Sequence, residues 1–372
     1  MKIKYLITGI TILMLHSCGG GSSSTPEIQL TESTSNTNPP IFNIDAAFNY
    51  ALQDGMFTQQ VSIYANEVFS SRWRDISVSE EAKISNFGFS GIIENFKGNR
   101  EFEDLTSWST GKSFLSILIG IAEDKELLTL TDSAAKYLSE WSGDEKKEAI
   151  TIKDLLNMRS GLAIPDGDSG GNITVHDNQF SFCLELDSAH EPDDYFQYNN
   201  CNSMLLGKVL ERASGQDFEF FAQSNLFNKL NIKATWWKDI AGNYLTYCCV
   251  DMSQKDFVRF GQMLLNMGEG VVSESYINKI FSGYESYSLH FWLRDDTLQT
   301  IGFDGQCIAI DFINNLIAAR NSLYHAATDG SYTMSIKGSI EDYQLPITLP
   351  RIVTGEASPF DMSEFLRILK TP

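Results

Sequence analysis

From about Phe42 onward the chain runs for some 330 residues with no second linker, no internal repeat and no low-complexity tract, so a single folded unit has to absorb all of it. The residue pattern changes along that length. Helical periodicities fill the middle, at residues 152–158, 202–213, 218–230 and 253–267, punctuated by Gly161, Gly207, Gly215 and Gly261. Strand-like runs lie on either side. Residues 89–96 and 99–102 read as a hairpin turned at Lys97-Gly98, and further strands are expected at 289–294, 307–312 and 316–320. Short helices are expected at 44–52 and 360–369. The pattern implies an α+β fold: an antiparallel sheet formed from both termini, with flanking helices and a mostly helical subdomain. A cleft between the two parts is the natural place for a site.

Composition narrows the partners. A chain of 372 residues with 42% hydrophobic and 12% aromatic content is globular rather than disordered. Its 48 acidic side chains outnumber 28 basic ones, for a formal charge of −20. Such a surface repels phosphate backbones and anionic headgroups alike, which argues against nucleic acid as a partner.

The N-terminus carries its own signal. Lys2 and Lys4 precede an 11-residue apolar stretch, 5–15, too short to span a bilayer and suited to a secretory leader. Leu15-His16-Ser17-Cys18 then resembles the bacterial lipoprotein signal, which implies a leader over 1–17, cleavage before Cys18 and a lipid on that cysteine. An ordinary leader that happens to end near a cysteine is the competing reading. Residues 18–42 are dominated by small and polar types and read as a flexible tether; 43–372 form the folded domain. Loss of the leader would take the formal charge to −22. Five cysteines remain: Cys183, Cys201, Cys248, Cys249 and Cys307. An odd number cannot all pair within the chain. Cys183 and Cys201 are placed to flank a loop as a disulfide, with buried free thiols as the alternative.

Chemistry has few candidates. The histidines are scattered, no CxxC pair occurs, and no phosphate-cradling glycine string is present, so neither a metal nor a nucleotide cofactor is expected. Gly167-Asp168-Ser169-Gly170-Gly171 matches GxSxG, but its flanks lack the strand and helix that a nucleophile elbow requires. Ser109-Thr110-Gly111-Lys112 is stronger. Ser109 follows a strand-like segment and opens the most hydrophobic helix of the chain, expected over 112–128. Unpaired N–H groups at such a helix start stabilise a developing anion. Three residues along a helix return to the same face, so Lys112 meets the Ser109 hydroxyl. Apolar packing disfavours the charged amine and lowers its pKa toward that of a useful base. A second copy of the spacing, Ser133-Ala134-Ala135-Lys136, follows a helix end, where a Ser or Asp cap is routine. Tyr198-Asn199-Asn200, just ahead of a helix, supplies a proton shuttle in the right chain order, although a core tyrosine with a wet hydroxyl would look the same.

Together these strings resemble the serine β-lactamase and penicillin-recognising superfamily. The likeness is to its class C-like branch, with family VIII esterases, D-amino-acid-specific peptidases and 6-aminohexanoate-dimer hydrolases. It extends over about residues 43–330. Trp108 to Phe114 is similar to the nucleophile box, 128–138 and 150–162 to connecting segments, Tyr198-Asn199-Asn200 to the YxN box, and 256–261 to a further helix. The third box departs. Phe303-Asp304-Gly305 stands where the family usually keeps Lys, His or Trp, then any residue, then Gly on an edge strand. Lys337-Gly338-Ser339 is only a loose echo of that box.

The resemblance implies a β-lactamase/transpeptidase-like fold and hydrolysis of a small ester or amide through an acyl-enzyme. In that scheme Ser109 attacks, Lys112 and Tyr198 move the proton, and Asn200 holds Lys112 and substrate. Backbone N–H groups of Ser109 and Gln306, next to Gly305, form the oxyanion hole. Phe303 and Asp304 disfavour a carboxylate-bearing substrate. A penicillin-binding-type peptidase or class C-like β-lactamase is the alternative enzyme, and a catalytically silent envelope-binding member the alternative outside enzymes. The Cys18 signal implies lipid anchoring in the cell envelope. With Gly19 following it, the expected site is the outer membrane, facing the periplasm or the cell surface.

Overall fold

The computed structural model describes residues 9–12, 30–33, 40–53, 56, 58–73, 104–164, 173, 176–322, 332–334, 336–337, 347–349 and 360–372. The expected hairpin at 89–102 and the Gly167–Gly171 string lie outside these residues, as do most of the leader and tether, Cys18 included. Within those two segments, Gly9–Ile12 and Leu30–Ser33 pair as a short antiparallel ladder. Five helices organise the rest: α1 (Ile44–Ala51), α2 (Gly111–Asp124), α3 (Asn200–Ser214), α4 (Gln254–Leu265) and α5 (Met362–Leu369). Seven strands form the main antiparallel sheet: β1 (Thr58–Ala65), β2 (Val68–Trp73), β3 (Tyr287–Ser288), β4 (Phe291–Arg294), β5 (Thr297–Ile301), β6 (Cys307–Asp311) and β7 (Leu316–Ser322). Their spatial order is β2-β1-β7-β6-β5-β4-β3, so strands from both ends of the domain meet at the β1–β7 seam, as expected.

Both faces of the sheet are covered. Val61, Ile63, Ala309 and Ala318 turn to one side and pack with Phe48 of α1 and Phe365, Leu366 and Leu369 of α5. The backbone N–H of Asn43 donates to the Leu369 carbonyl at 2.8 Å, which ties the domain's two ends together. On the opposite face Ile308, Ile310 and Ile317 join the large core built on α2, α3 and α4. Gly261 of α4 admits close approach there, since an added Cβ would lie 2.9 Å from Ile317.

Several boundaries differ from the periodicity, each with a local cause. α2 stops at Asp124 rather than running to Leu128. Glu126 takes a left-handed conformation (φ 58°), and the Leu127 N–H reaches back to the Ala122 carbonyl at 3.0 Å, which closes the helix end. α3 starts two residues early because the Asn199 side chain accepts from the Cys201 N–H. The 218–230 stretch stays helical but contains a π turn, Gln223–Phe227. The run expected at 289–294 is broken, because Leu289 and His290 both adopt positive φ between β3 and β4. Strands β1 and β2 are absent from the sequence reading. Buried Gln60 and Ser62 interrupt the apolar pattern of β1, and both pair with Ser71 of β2.

Helix α2 runs through the middle of the core. Phe114, Leu115, Ile117, Leu118 and Ile119 are wholly buried, each worth about 1.5–3 kcal/mol relative to exposure. Gly120 faces the Tyr276 ring so closely that an added Cβ would lie 2.5 Å from it, and the Tyr276 hydroxyl is hydrogen-bonded to Ser116 of the same helix at 3.0 Å. Gly120→Ala must therefore displace a fully buried ring. A loss of about 1–3 kcal/mol is expected, read as a lower midpoint in thermal or urea denaturation.

Candidate active site

A short 3₁₀ turn, Trp108–Thr110, carries Ser109 directly into α2. Buried Ser107 fixes the approach: its N–H donates to the Val250 carbonyl and its Oγ accepts from the Val250 N–H, both at 2.9 Å. Trp108 then sits at φ 47°, an uncommon conformation for a bulky residue and one held by its surroundings. One turn on, Lys112 returns to the same face as Ser109. Its Nζ donates to Ser109 Oγ at 3.0 Å and to the Tyr247 carbonyl at 2.6 Å.

Lys112 is 1% exposed, and burial drives its pKa well below the ordinary lysine value. Two rings enclose the amine, with the Tyr198 centroid at 4.9 Å and the Tyr247 centroid at 5.6 Å. The Tyr198 hydroxyl shares a hydrogen bond with the Ser109 side chain. Burial pushes that phenol up to about 12, opposed in part by the bond to Ser109, so Tyr198 is a neutral hydroxyl at neutral pH. Ser109, Lys112 and Tyr198 are thus brought together by the fold. Asn200 is the first residue of α3, two positions on from Tyr198.

The third box sits at the turn between β5 and β6. Phe303–Gly305 forms a 3₁₀ turn, with β4 and β3 continuing the sheet beyond β5. The edge-strand position expected for this box is therefore corrected: both flanking strands are interior. Gly302 presses on the nucleophile's turn, since a Cβ there would lie 2.6 Å from the Ser107 carbonyl, and the Phe303 ring lies 5.4 Å from that of Trp108. Buried Arg320 of β7 clamps the turn, donating to the carbonyls of Gly305 at 2.9 Å and Met56 at 2.6 Å. The Gln306 N–H, expected to face an oxyanion, closes its own turn onto the Phe303 carbonyl across a long 3.4 Å. Lys337 falls in a two-residue strand beside Lys238, outside the seven-stranded sheet. The competing Ser133 acts as a cap, accepting from the Ala135 N–H, while Lys136 pairs with Asp132.

Other contributors have no signature in the sequence reading. Trp292 of β4 stacks on Tyr198 at 6.1 Å and 22°. His290 is buried among Ser203, whose Oγ is 2.9 Å from its Nε2, Tyr287, whose hydroxyl is 3.3 Å from its Nδ1, and Ser113, which donates to its carbonyl. Cys183 and Cys201 do form a disulfide, a second joins the adjacent Cys248 and Cys249, and Cys307 is a buried free thiol.

Comparison with known proteins places this geometry. The β-lactamase family model matches residues 97–242. A candidate penicillin-binding protein of Bacillus subtilis strain 168, PbpX, is 24% identical over 193 residues, covering 51% of this chain and 45% of its own length. The chain spans less than half the length of the curated relatives it matches. A candidate 6-aminohexanoate-dimer hydrolase from Bacillus anthracis superposes with a TM-score of 0.60 at 17% identity, over 72% of this chain and 74% of that one. A D-stereospecific amidohydrolase from Streptomyces gives 0.55 at 16% identity, over 74% and 93%. These likenesses show a β-lactamase/transpeptidase-like fold, with residues 97–242 similar to the β-lactamase family.

Acid sensitivity follows from His290. Burial first, and then the neighbouring Lys112 charge, lower its pKa from 6.5 to about 3. The unfolded chain therefore takes up a proton that the folded protein refuses, and stability falls as the pH drops from 6.5 toward 3. In urea titrations between pH 7 and 4, His290→Gln should lose less stability on acidification than the parent protein.

Proposed function

We propose that this protein hydrolyses a small ester or amide through an acyl-enzyme on Ser109. The observation that carries this reading is one hydroxyl held between two proton-transfer groups, the buried Lys112 amine at 3.0 Å and the Tyr198 phenol. With its pKa depressed by burial, Lys112 is the group able to be neutral and to accept the Ser109 proton as the hydroxyl attacks. Tyr198, kept protonated by burial, is suited to pass a proton to the leaving group rather than to act as a phenolate base. Water then attacks the acyl ester with the same pair in reverse roles. Asn200 supports Lys112 and the substrate in this scheme. The oxyanion falls to the N–H of Ser109 at the start of α2 and to that of Gln306, whose bond to the Phe303 carbonyl is a long 3.4 Å.

Phe303 favours this substrate class over penicillins and D-Ala-D-Ala peptides. An aromatic ring packed on Trp108 replaces a cation that would bind a carboxylate, and the −20 surface acts in the same direction. A penicillin-binding-type peptidase or class C-like β-lactamase remains the second reading. Amide cleavage draws support from the Streptomyces amidohydrolase among the structural neighbours. A silent envelope-binding member is the third, opposed by the intact Ser109, Lys112 and Tyr198. The leader and Cys18 support lipid anchoring in the cell envelope, at an outer membrane, and two disulfides fit an oxidising compartment.

The purified domain should turn over a chromogenic short-chain ester and bind a fluorophosphonate covalently, and Ser109→Ala should abolish both. Turnover of a chromogenic cephalosporin without ester turnover would favour the second reading; failure of the probe to label would favour the third. Tyr198→Phe should lower kcat by about 10²-fold or more with an unchanged melting temperature, and near-normal turnover would remove the shuttle role. The rate should rise with pH through a midpoint well below the ordinary lysine value, because the neutral amine is the active form.

A further inference from the structure

Residues 244–250 form the wall against which the start of α2 is pressed. Two anchors fasten this wall to the nucleophile. On one side the Tyr247 carbonyl takes a hydrogen from Lys112 at 2.6 Å. On the other, Val250 exchanges two hydrogen bonds with Ser107, both at 2.9 Å. Between the anchors lie only Cys248 and Cys249, bonded to each other and buried. Their backbone is tightly constrained. Cys249 is in the left-handed region at φ 64°, which a side-chain-bearing residue holds only where its surroundings enforce it. The Cys248 carbonyl accepts from Trp236 Nε1 at 2.8 Å and would lie 2.8 Å from a Cβ on Gly111. Trp237 donates its N–H to the Cys249 carbonyl at 3.0 Å.

We infer that the disulfide between Cys248 and Cys249 is a positioning element for Lys112. Its small ring fixes the two-residue step between the anchors, so that Tyr247 covers the amine while Ser107 holds the turn that presents Ser109. The inference rests on the reading of Ser109 and Lys112 as nucleophile and base. Opening the ring frees the step, lets the Tyr247 wall relax, and admits water to the amine. Other groups facing the amine stay in place: the Ser109 hydroxyl and Tyr198 ring from the site side, and His290, whose carbonyl is bonded to Ser113 of α2. Reduction balances simply. A dithiol delivers two electrons and two protons to the S–S bond, yields two thiols, and leaves as its own cyclic disulfide.

The test compares the oxidised protein, the same protein reduced with dithiothreitol, and Cys248→Ser/Cys249→Ser. Two quantities are read against pH: the rate of fluorophosphonate labelling at Ser109, and the titration of Lys112 by NMR of ¹³C-labelled lysine side chains. Reduced and double-serine proteins should stay folded by circular dichroism, with the Lys112 midpoint raised by about one unit and labelling at neutral pH slowed about tenfold. Reoxidation of the reduced protein should restore both. Cys183→Ser/Cys201→Ser, which removes the other disulfide, should keep the parent midpoint. If the double-serine variant does not fold, the reduced parent protein decides the matter alone. Identical midpoints in oxidised and reduced protein would overturn the inference, as would peptide mapping that finds Cys248 and Cys249 as free thiols in the purified protein. Persistent ester turnover in Ser109→Ala would overturn the reading of Ser109 as nucleophile instead, and the Lys112 titration would still decide this one.

Discussion

A lysine amine buried in an apolar core is the constraint around which this structure is arranged. Lys112 stands on a helix whose neighbouring side chains are hydrophobic and fully covered, where a charge without partners would cost several kcal/mol. The fold meets that cost in two ways. It gives the amine two oxygen acceptors, from Ser109 and Tyr247, and it lowers the pKa so that the neutral form is accessible. Burial thus does chemical as well as structural work. A more exposed lysine at the same distance from Ser109 would be a poorer base.

That constraint explains why so much of the molecule converges on a three-residue turn. The small sheet of Asp104–Thr106, Val250–Ser253 and Ala234–Trp236 leads the chain into Ser107 and holds Val250 against it. The main sheet contributes the Phe303 turn from one side and Trp292 from the other. Helix α3 starts at Asn200, so Tyr198 is delivered by the loop just before a capped helix rather than by the helix itself. Each of the three candidate groups thus comes from a different element, and rigidity in all three is needed to keep one hydroxyl between two partners.

How far this was legible in the sequence follows from what kind of atom does the work. Ser109 and Lys112 could be read because helical periodicity relates positions three apart, whatever the rest of the fold does. Tyr198 could be read from chain order and from its place ahead of an apolar helix. The Tyr247 carbonyl could not, because every residue owns one and only tertiary packing selects it. The Cys248-Cys249 doublet was visible, yet its bonding depends on a backbone conformation that composition does not reveal. The sheet was legible at its C-terminal strands, where Ile308, Ile310 and Ile317 alternate cleanly. It was hidden at β1, where Gln60 and Ser62 are buried but satisfied across to Ser71. The third box was misplaced onto an edge strand because nothing in Phe303-Asp304-Gly305 announces that β3 and β4 extend the sheet.

Arg320 carries a consequence for when the site comes into being. Its guanidinium bonds Thr58 at the start of the first strand of the sheet, Met56 just ahead of it and Gly305 from the turn beside the nucleophile, with a span of up to 264 residues in sequence. The β1–β7 seam and the clamp on the Phe303 turn therefore form together, and neither can form until the chain through β7 is available. Contacts of that span are closed late and slowly. A nascent chain that already contains Ser109, Lys112 and Tyr198 still lacks the wall beside them, so the hydroxyl and its buried amine are assembled only after most of the domain has been made.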